Sequence, residues 1–272
     1  MHIKNSIEAI RFKRLLYLFL IQFFLIPFLF SCKTNYNFKL KNRQTHTEVF
    51  SVDSMHAPIS DPWSLEISKP YKAVIDARLN EILAYSEKAM TKQQPEGLLN
   101  NFVADLILKK AKEYYKPEDE SKNIDLCLLN YGGLRSSLPK GAVTLMNIYE
   151  LMPFENKLTV LTLNGSNTKK LFDYIAIKNG MLLSGAVMGI KNEKAVFVII
   201  NNQALDTSRN YKVVTIDYLA EGGDEMYFFT NCLKREDLNY KTRDVIVEFL
   251  KEETAKGKTI SSSLDKRIYY AK

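Results

Sequence analysis

The segment Asn130-Tyr131-Gly132-Gly133-Leu134-Arg135 sets consecutive glycines and a guanidinium directly after an apolar run. Adjacent glycines let backbone amides come close to a ligand, and the planar fork of Arg135 suits an anion. A tight turn with a surface arginine is the plainer reading of the same residues. In Leu151-Met152-Pro153-Phe154-Glu155-Asn156 an aromatic follows a proline that stiffens the backbone. That arrangement suits a platform for a flat ligand, although an aromatic after proline is usually core. In the third segment, Asp217 to Asp224, Tyr218 precedes a second glycine pair, Gly222-Gly223, and then the acid Asp224. Tyr218 can face Phe154 from there, and taken alone this too is an ordinary turn.

These loops need elements to hold them. Helical spacing begins at Tyr71, with Val74, Ile75, Leu79, Ile82 and Leu83 on one face. A second helix is expected from about Leu98, carrying Leu99, Phe102, Val103, Leu106, Ile107 and Tyr114 inward and its lysines outward. Ile124 to Leu129, apolar apart from Asp125, is short and stops at a glycine turn, so it reads as a buried strand. A short helical stretch, Met146 to Glu150, precedes the Pro-Phe loop, and a strand spans Leu158 to Leu163. Ser166 is expected to cap a helix reaching about Ile177. Val196 to Ile200 and Tyr211 to Tyr218, with turn residues Asn201-Asn202 between, look like paired strands, and a helix from about Thr242 to Lys256 closes the chain. Helices and strands intersperse without strict alternation or repeat. The expected fold class is therefore α+β, a single domain with a mixed β-sheet and packed helices.

The order of these segments carries a resemblance. From roughly Tyr71 to Phe228 the chain resembles the C-terminal domain of bacterial and animal 5'-nucleotidases, with the related UDP-sugar hydrolases and cyclic-nucleotide phosphodiesterases. The matching segments are NYGGLR, LPKG, LMPF and YLAEGGD, with PEGLLNNFVADLIL upstream. The resemblance implies a substrate-binding set of Asn130, Gly132, Gly133, Arg135, Phe154, Tyr218 and Asp224. Phe154 and Tyr218 would sandwich the base, Asn130 would meet its edge, Asp224 would hold ribose hydroxyls, and Arg135 would reach sugar or phosphate. The chain departs from the family pattern in having Pro95-Glu96 where a further arginine is usual, Asn100 in place of glycine, and Tyr218 where phenylalanine is common.

In complete members of that family, hydrolysis belongs to a preceding metallophosphoesterase domain with two divalent metals. The only histidines here are His2, His46 and His56; no Asp-x-His pair or Gly-Asn-His-Asp/Glu segment occurs, and few residues precede Tyr71. The expectation is a chain with no catalytic residues and no cofactor of its own. Divalent metals, Mn, Zn or similar, are expected in a separately encoded metallophosphatase acting in trans. The alternatives are a non-catalytic binding lipoprotein for nucleosides or sugar nucleotides, and a fold that has lost ligand binding and serves only as an interaction surface.

The N-terminal residues read as an export leader. Lys4, Arg11, Lys13 and Arg14 oppose only Glu8 before residue 32, so the leader carries +3 of the formal +7. The other basic residues are interleaved with acids, as in Lys109, Lys110, Lys112, Glu113, Lys116, Glu118, Asp119 and Glu120, which reads as solvated helix surface and not as a nucleic-acid stripe. Leu15 to Phe30 is apolar except at Tyr17, Gln22 and Pro27, too short for a spanning helix, and Ser31-Cys32 follows. Leu29-Phe30-Ser31-Cys32 resembles a lipoprotein box, which implies cleavage at Cys32, acylation there, and a membrane-anchored protein facing the periplasm or cell surface; an uncleaved signal anchor is the alternative. The expected division is residues 1–32 signal peptide, 33–65 polar tether and 66–272 folded domain. Cys127 reads as a small buried hydrophobe and Cys232 lies in a polar stretch, with their pairing left open.

Overall fold

Residues 62–117 and 123–272 are described by the computed structural model. Cys32, the leader, most of the tether and all three histidines lie outside them. The first described helix, α1 (Pro62–Leu79), starts four residues before the expected domain boundary. Its apolar residues do not form a core face: Tyr71, Val74 and Ile75 are all exposed. Nor does the helical spacing run on to Leu83, because a turn at Asn80-Glu81 ends the helix. Ile82 and Leu83 open strand β1 (Ile82–Ser86), which pairs antiparallel with β3 (Gly141–Thr144). Long-range strand pairing has here overridden a locally helical pattern.

Helix α2 (Leu98–Tyr114) buries Leu99, Phe102, Val103, Leu106 and Ile107 as expected. Its lysines are not all outward: the Lys110 side chain is buried, with Glu113, Glu248 and Glu252 at 2.7–2.9 Å from its Nζ. Burial is tolerated because the long stem packs against apolar surface while the ammonium is met by carboxylates.

The central sheet has the order β10 (Lys234–Lys241), β4 (Lys157–Asn164), β9 (Asn210–Ile216), β2 (Leu126–Leu129), β5 (Leu182–Ser184). β9 and β2 are parallel and the other neighbours antiparallel. β2 is buried at every residue, which is why it reads as an unbroken apolar run instead of an alternating one. A second sheet, of order β11 (Ile268–Tyr270), β6 (Ala186–Lys191), β7 (Lys194–Ile200), β8 (Gln203–Ala204), contains two tight hairpins. Their turn residues Asn192-Glu193 and Asn201-Asn202 all have positive φ, the backbone such hairpins demand. The expected pairing of Val196–Ile200 with Tyr211–Tyr218 does not occur. The first belongs to the second sheet beside β6, and the second lies between β4 and β2 in the central sheet.

Short helix α3 (Leu145–Leu151) opens with a capping box, Thr144 and Asn147 each bonding the other's backbone N–H. Helix α4 (Gly165–Ile177) is capped not by Ser166 but by Asn164, whose side chain accepts from the Asn167 amide. β9 ends at Ile216, so Tyr218 sits in the one-turn helix α5 (Asp217–Ala220), followed by α6 (Tyr227–Thr230) and finally α7 (Thr242–Ala255) with Val245, Ile246 and Leu250 buried. Cys127 is buried and Cys232 half-buried, and both are free thiols. Burial pushes the Cys127 thiol far up, which leaves it an inert core residue. Among the described residues no helix is long and apolar enough to cross a membrane.

Candidate functional site

Topology gathers the three loops. β2 runs parallel to β9, and β4 runs antiparallel to it with Leu158 opposite Ile216. The end of β2, the start of β4 and the end of β9 therefore share one edge of the central sheet. Residues 130–135, 152–156 and 217–224 leave from that edge, although nearly a hundred positions separate Asn130 from Asp224 along the chain.

The first loop is a single 3₁₀ turn, Tyr131–Gly133, closed by the Gly133 amide on the Asn130 carbonyl at 3.2 Å. Lys92 braces it from outside. Its ammonium donates to the Leu134 carbonyl at 2.7 Å and lies 4.6 Å from the Tyr131 ring centre. Burial, with the nearby Arg135 charge, lowers the Lys92 pKa. The two glycines differ in their need. A Cβ on Gly133 would stand 2.7 Å from Asn130 Oδ1, whereas one on Gly132 meets nothing closer than 3.8 Å. The Arg135 side chain is exposed and has no hydrogen bond or ion pair with another described residue.

The second loop is held from beneath. The Arg135 amide donates to the Leu151 carbonyl at 2.9 Å, tying the first loop to the second. Arg243, a buried residue at the start of α7, pairs with Glu155 and packs 4.2 Å from the Tyr149 ring centre. The Thr242 amide and hydroxyl both donate to the Asn156 carbonyl, at 2.9 and 3.0 Å. Hydrogen bonds from Lys241 and then Arg243 hold the Glu155 carboxyl below its ordinary range. So anchored, the loop presents Phe154 outward, 39% exposed.

The third loop is organised around Asp224. Gly222, Asp224 and Glu225 all have positive φ, at 90°, 52° and 64°. Gly223 fits only without a side chain, since a Cβ there would lie 2.5 Å from both the Tyr218 ring and the Tyr218 carbonyl. The Asp224 carboxylate accepts from Asn130 Nδ2 at 2.7 Å and from the Tyr218 hydroxyl at 2.8 Å. The Asp224 amide donates back to that hydroxyl at 3.2 Å, and the Tyr174 hydroxyl donates to the Asp224 carbonyl. The hydrogen bond to Asp224 raises the Tyr218 phenol.

Asn130, Gly132, Gly133, Arg135, Phe154, Tyr218 and Asp224 all line one cavity of about 370 Å³, together with Asn156. That volume lies in the ~300–1,000 Å³ range of small-molecule sites. A neighbouring cavity of about 430 Å³ shares Gly132 and Asp224 and is walled by Tyr131, Tyr174 and Met181. Neither Lys92, Arg243 nor Tyr174 stands out in the sequence. Each is an ordinary helix or loop residue until the fold sets it behind a loop.

The departures from the family pattern have local explanations. Glu96 accepts from Asn101 Nδ2 at 2.7 Å and from the Asp265 and Lys266 amides at 2.9 and 3.1 Å, so it clamps the C-terminal segment. Asn100 is buried and bonds both the amide and the carbonyl of Gln93, closing the loop ahead of α2. The dimetal centre that the resemblance places in a preceding domain does not fit the described residues, among which no three His, Cys, Asp or Glu side chains are grouped so as to hold a metal ion.

The three loops of this mixed α/β domain surround an open cavity lined by aromatic, amide and carboxylate groups. The 5'-nucleotidase C-terminal domain family matches residues 77–231, more than half of the chain, and the protein belongs to that family. Over 219 residues it is 28% identical to the trifunctional nucleotide phosphoesterase protein YfkN of Bacillus subtilis, covering 73% of this chain and 14% of that one. Over 220 residues it is 23% identical to an apyrase of Tabanus yao, covering 70% of this chain and 39% of the apyrase. The 5'-nucleotidase precursor of Thermus thermophilus shares the fold at a TM-score of 0.65 and 22% identity, over 76% of this chain and 43% of that structure. The chain thus spans less than half of each of these relatives.

Proposed function

We propose that the loop cavity binds a nucleoside or nucleotide, with the base between Phe154 and Tyr218 and the ribose at Asp224. The observation that carries this reading is the exposure of two large aromatic rings, 39% and 45%, on the rim of one cavity that also holds a fixed carboxylate. Aromatic stacking on a base is worth ~1–3 kcal/mol and tolerates any base. Asn130 spends one amide hydrogen on Asp224 and keeps the other, with its carbonyl, for a base edge. Arg135, exposed at the rim, is the group for sugar or phosphate.

Hydrolysis is assigned to a metallophosphatase in trans, with the chain supplying recognition. Calorimetry with adenosine and AMP tests the binding half: Phe154→Ala weakens either ligand by ~1 kcal/mol or more, and unchanged affinity makes the ring mere packing. AMP turnover with Mn²⁺ or Zn²⁺, by the purified chain alone and mixed with a candidate metallophosphatase, tests the other half. Turnover by the chain alone overturns the division of labour.

The cellular setting is proposed as an exported lipoprotein anchored through Cys32, on the basic leader, the apolar run and the residues around that cysteine. Metabolic labelling with an alkyne fatty acid should mark the wild type and not Cys32→Ala. A label that survives the substitution sinks the anchor.

A further inference from the structure

Asp224 is tied at its backbone and at its side chain by three residues from separate parts of the fold. One carboxylate oxygen receives Asn130 Nδ2 and the other the Tyr218 hydroxyl. Its amide donates to the same hydroxyl, and its carbonyl accepts from Tyr174 on α4. Asp224 and Glu225 are consecutive non-glycine residues in the left-handed region, a conformation disfavoured for L-residues that external bonds must hold. The Tyr218 hydroxyl is unusual among these ties because it bonds Asp224 twice, once as donor and once as acceptor. It thereby locks the carboxylate's direction to the backbone that carries it.

An ionised carboxylate has about four acceptor positions. One on each oxygen is used internally, so Asp224, which is exposed, keeps a further acceptor on each oxygen. Two acceptors side by side, held at a fixed angle, match the two adjacent hydroxyls of a vicinal diol. A sugar lacking one of those hydroxyls leaves one oxygen unmatched, and sites built to bond a hydroxyl discriminate against its loss.

We propose that the Tyr218 hydroxyl is a positioning group that fixes the Asp224 carboxylate for a cis-diol, and so makes the site select ribonucleosides over 2'-deoxyribonucleosides. This rests on the nucleoside reading of the cavity. The Tyr218 ring keeps its separate part as a stacking surface, which a phenylalanine retains.

The test is calorimetry on the full chain with adenosine and 2'-deoxyadenosine, for the wild type, Tyr218→Phe and Phe154→Ala. The wild type should prefer adenosine by about tenfold, the size of one net hydrogen bond to a charged group. Tyr218→Phe should bring the two dissociation constants together, while Phe154→Ala should weaken both nucleosides in parallel and keep their ratio. A wild type that binds neither nucleoside overturns the nucleoside reading itself. A wild type that binds both equally, or a Tyr218→Phe protein that keeps the wild-type ratio, overturns only the positioning role.

Discussion

Gly223 and Gly132 separate two roles that look alike in the sequence. At Gly223 a methyl group would run into the Tyr218 ring and carbonyl at 2.5 Å, and the carbonyl cannot swing aside as a flexible side chain does. Gly223→Ala should therefore cost ~1–3 kcal/mol of stability and weaken adenosine binding, because the same shift moves Tyr218 and Asp224. A methyl on Gly132 would meet only Asn130 Nδ2, at an ordinary contact distance of 3.8 Å, so Gly132→Ala should alter stability by no more than about 0.5 kcal/mol. Urea denaturation of the two variants separates them, and equal losses would refute this account of the loop. Burial by itself does not rank the importance of these residues: Asn130 is nearly enclosed and Phe154 is exposed, yet both face the same cavity.

Among the elements, helix α4 gives the cleanest test of a local rule. Asn164, not Ser166, supplies the capping oxygen, so Asn164→Ala should lose ~1 kcal/mol and Ser166→Ala about 0.5 kcal/mol or less. The reverse order in thermal or chemical melts would restore the cap that the sequence suggested. Between α2 and α7, the buried Lys110 gathers Glu113, Glu248 and Glu252. Those carboxylates are between a third and a half exposed, so water screens the attraction and the rest of the contribution is the packing of the lysine stem. Lys110→Met keeps most of the stem and should destabilise by ~1–2 kcal/mol, with part of the difference vanishing in high salt. A salt-independent loss would mean that packing alone is responsible.

At the level of the whole molecule, several carboxyls titrate below their ordinary range. The ammonium of Lys110 lowers Glu248, that of Lys256 lowers Glu253, and the Arg267 guanidinium lowers Asp265. A carboxyl whose folded pKa is depressed stabilises the fold fully above its unfolded value, ~3.9–4.3, and progressively loses that contribution as pH falls through the folded value. Asp125, raised by burial, acts in the opposite sense and offsets part of the change. The urea midpoint should thus hold steady near neutrality and drop below about pH 4. A midpoint unchanged at pH 3 would show that these pairs contribute nothing to the folded state.

The segments of the candidate site are visible in the linear chain because each is a local pattern. A glycine pair beside an arginine, a phenylalanine behind a proline, and a tyrosine ahead of Gly-Gly-Asp are short-range patterns, and Leu126–Leu129 declares itself a buried strand by being apolar throughout. The meeting of those patterns is not local, since it depends on β2 lying parallel to β9 while β4 runs the other way. Strand order and direction follow from the packing of the whole core, which no window of sequence contains. For the same reason Tyr71, Val74 and Ile75 keep helical spacing yet face outward, and the apolar residues of β7 and β9 belong to different sheets. The braces behind the loops, Lys92, Arg243 and Tyr174, become visible only in three dimensions. A hydrogen bond across dozens of residues leaves no periodic trace in the chain that makes it.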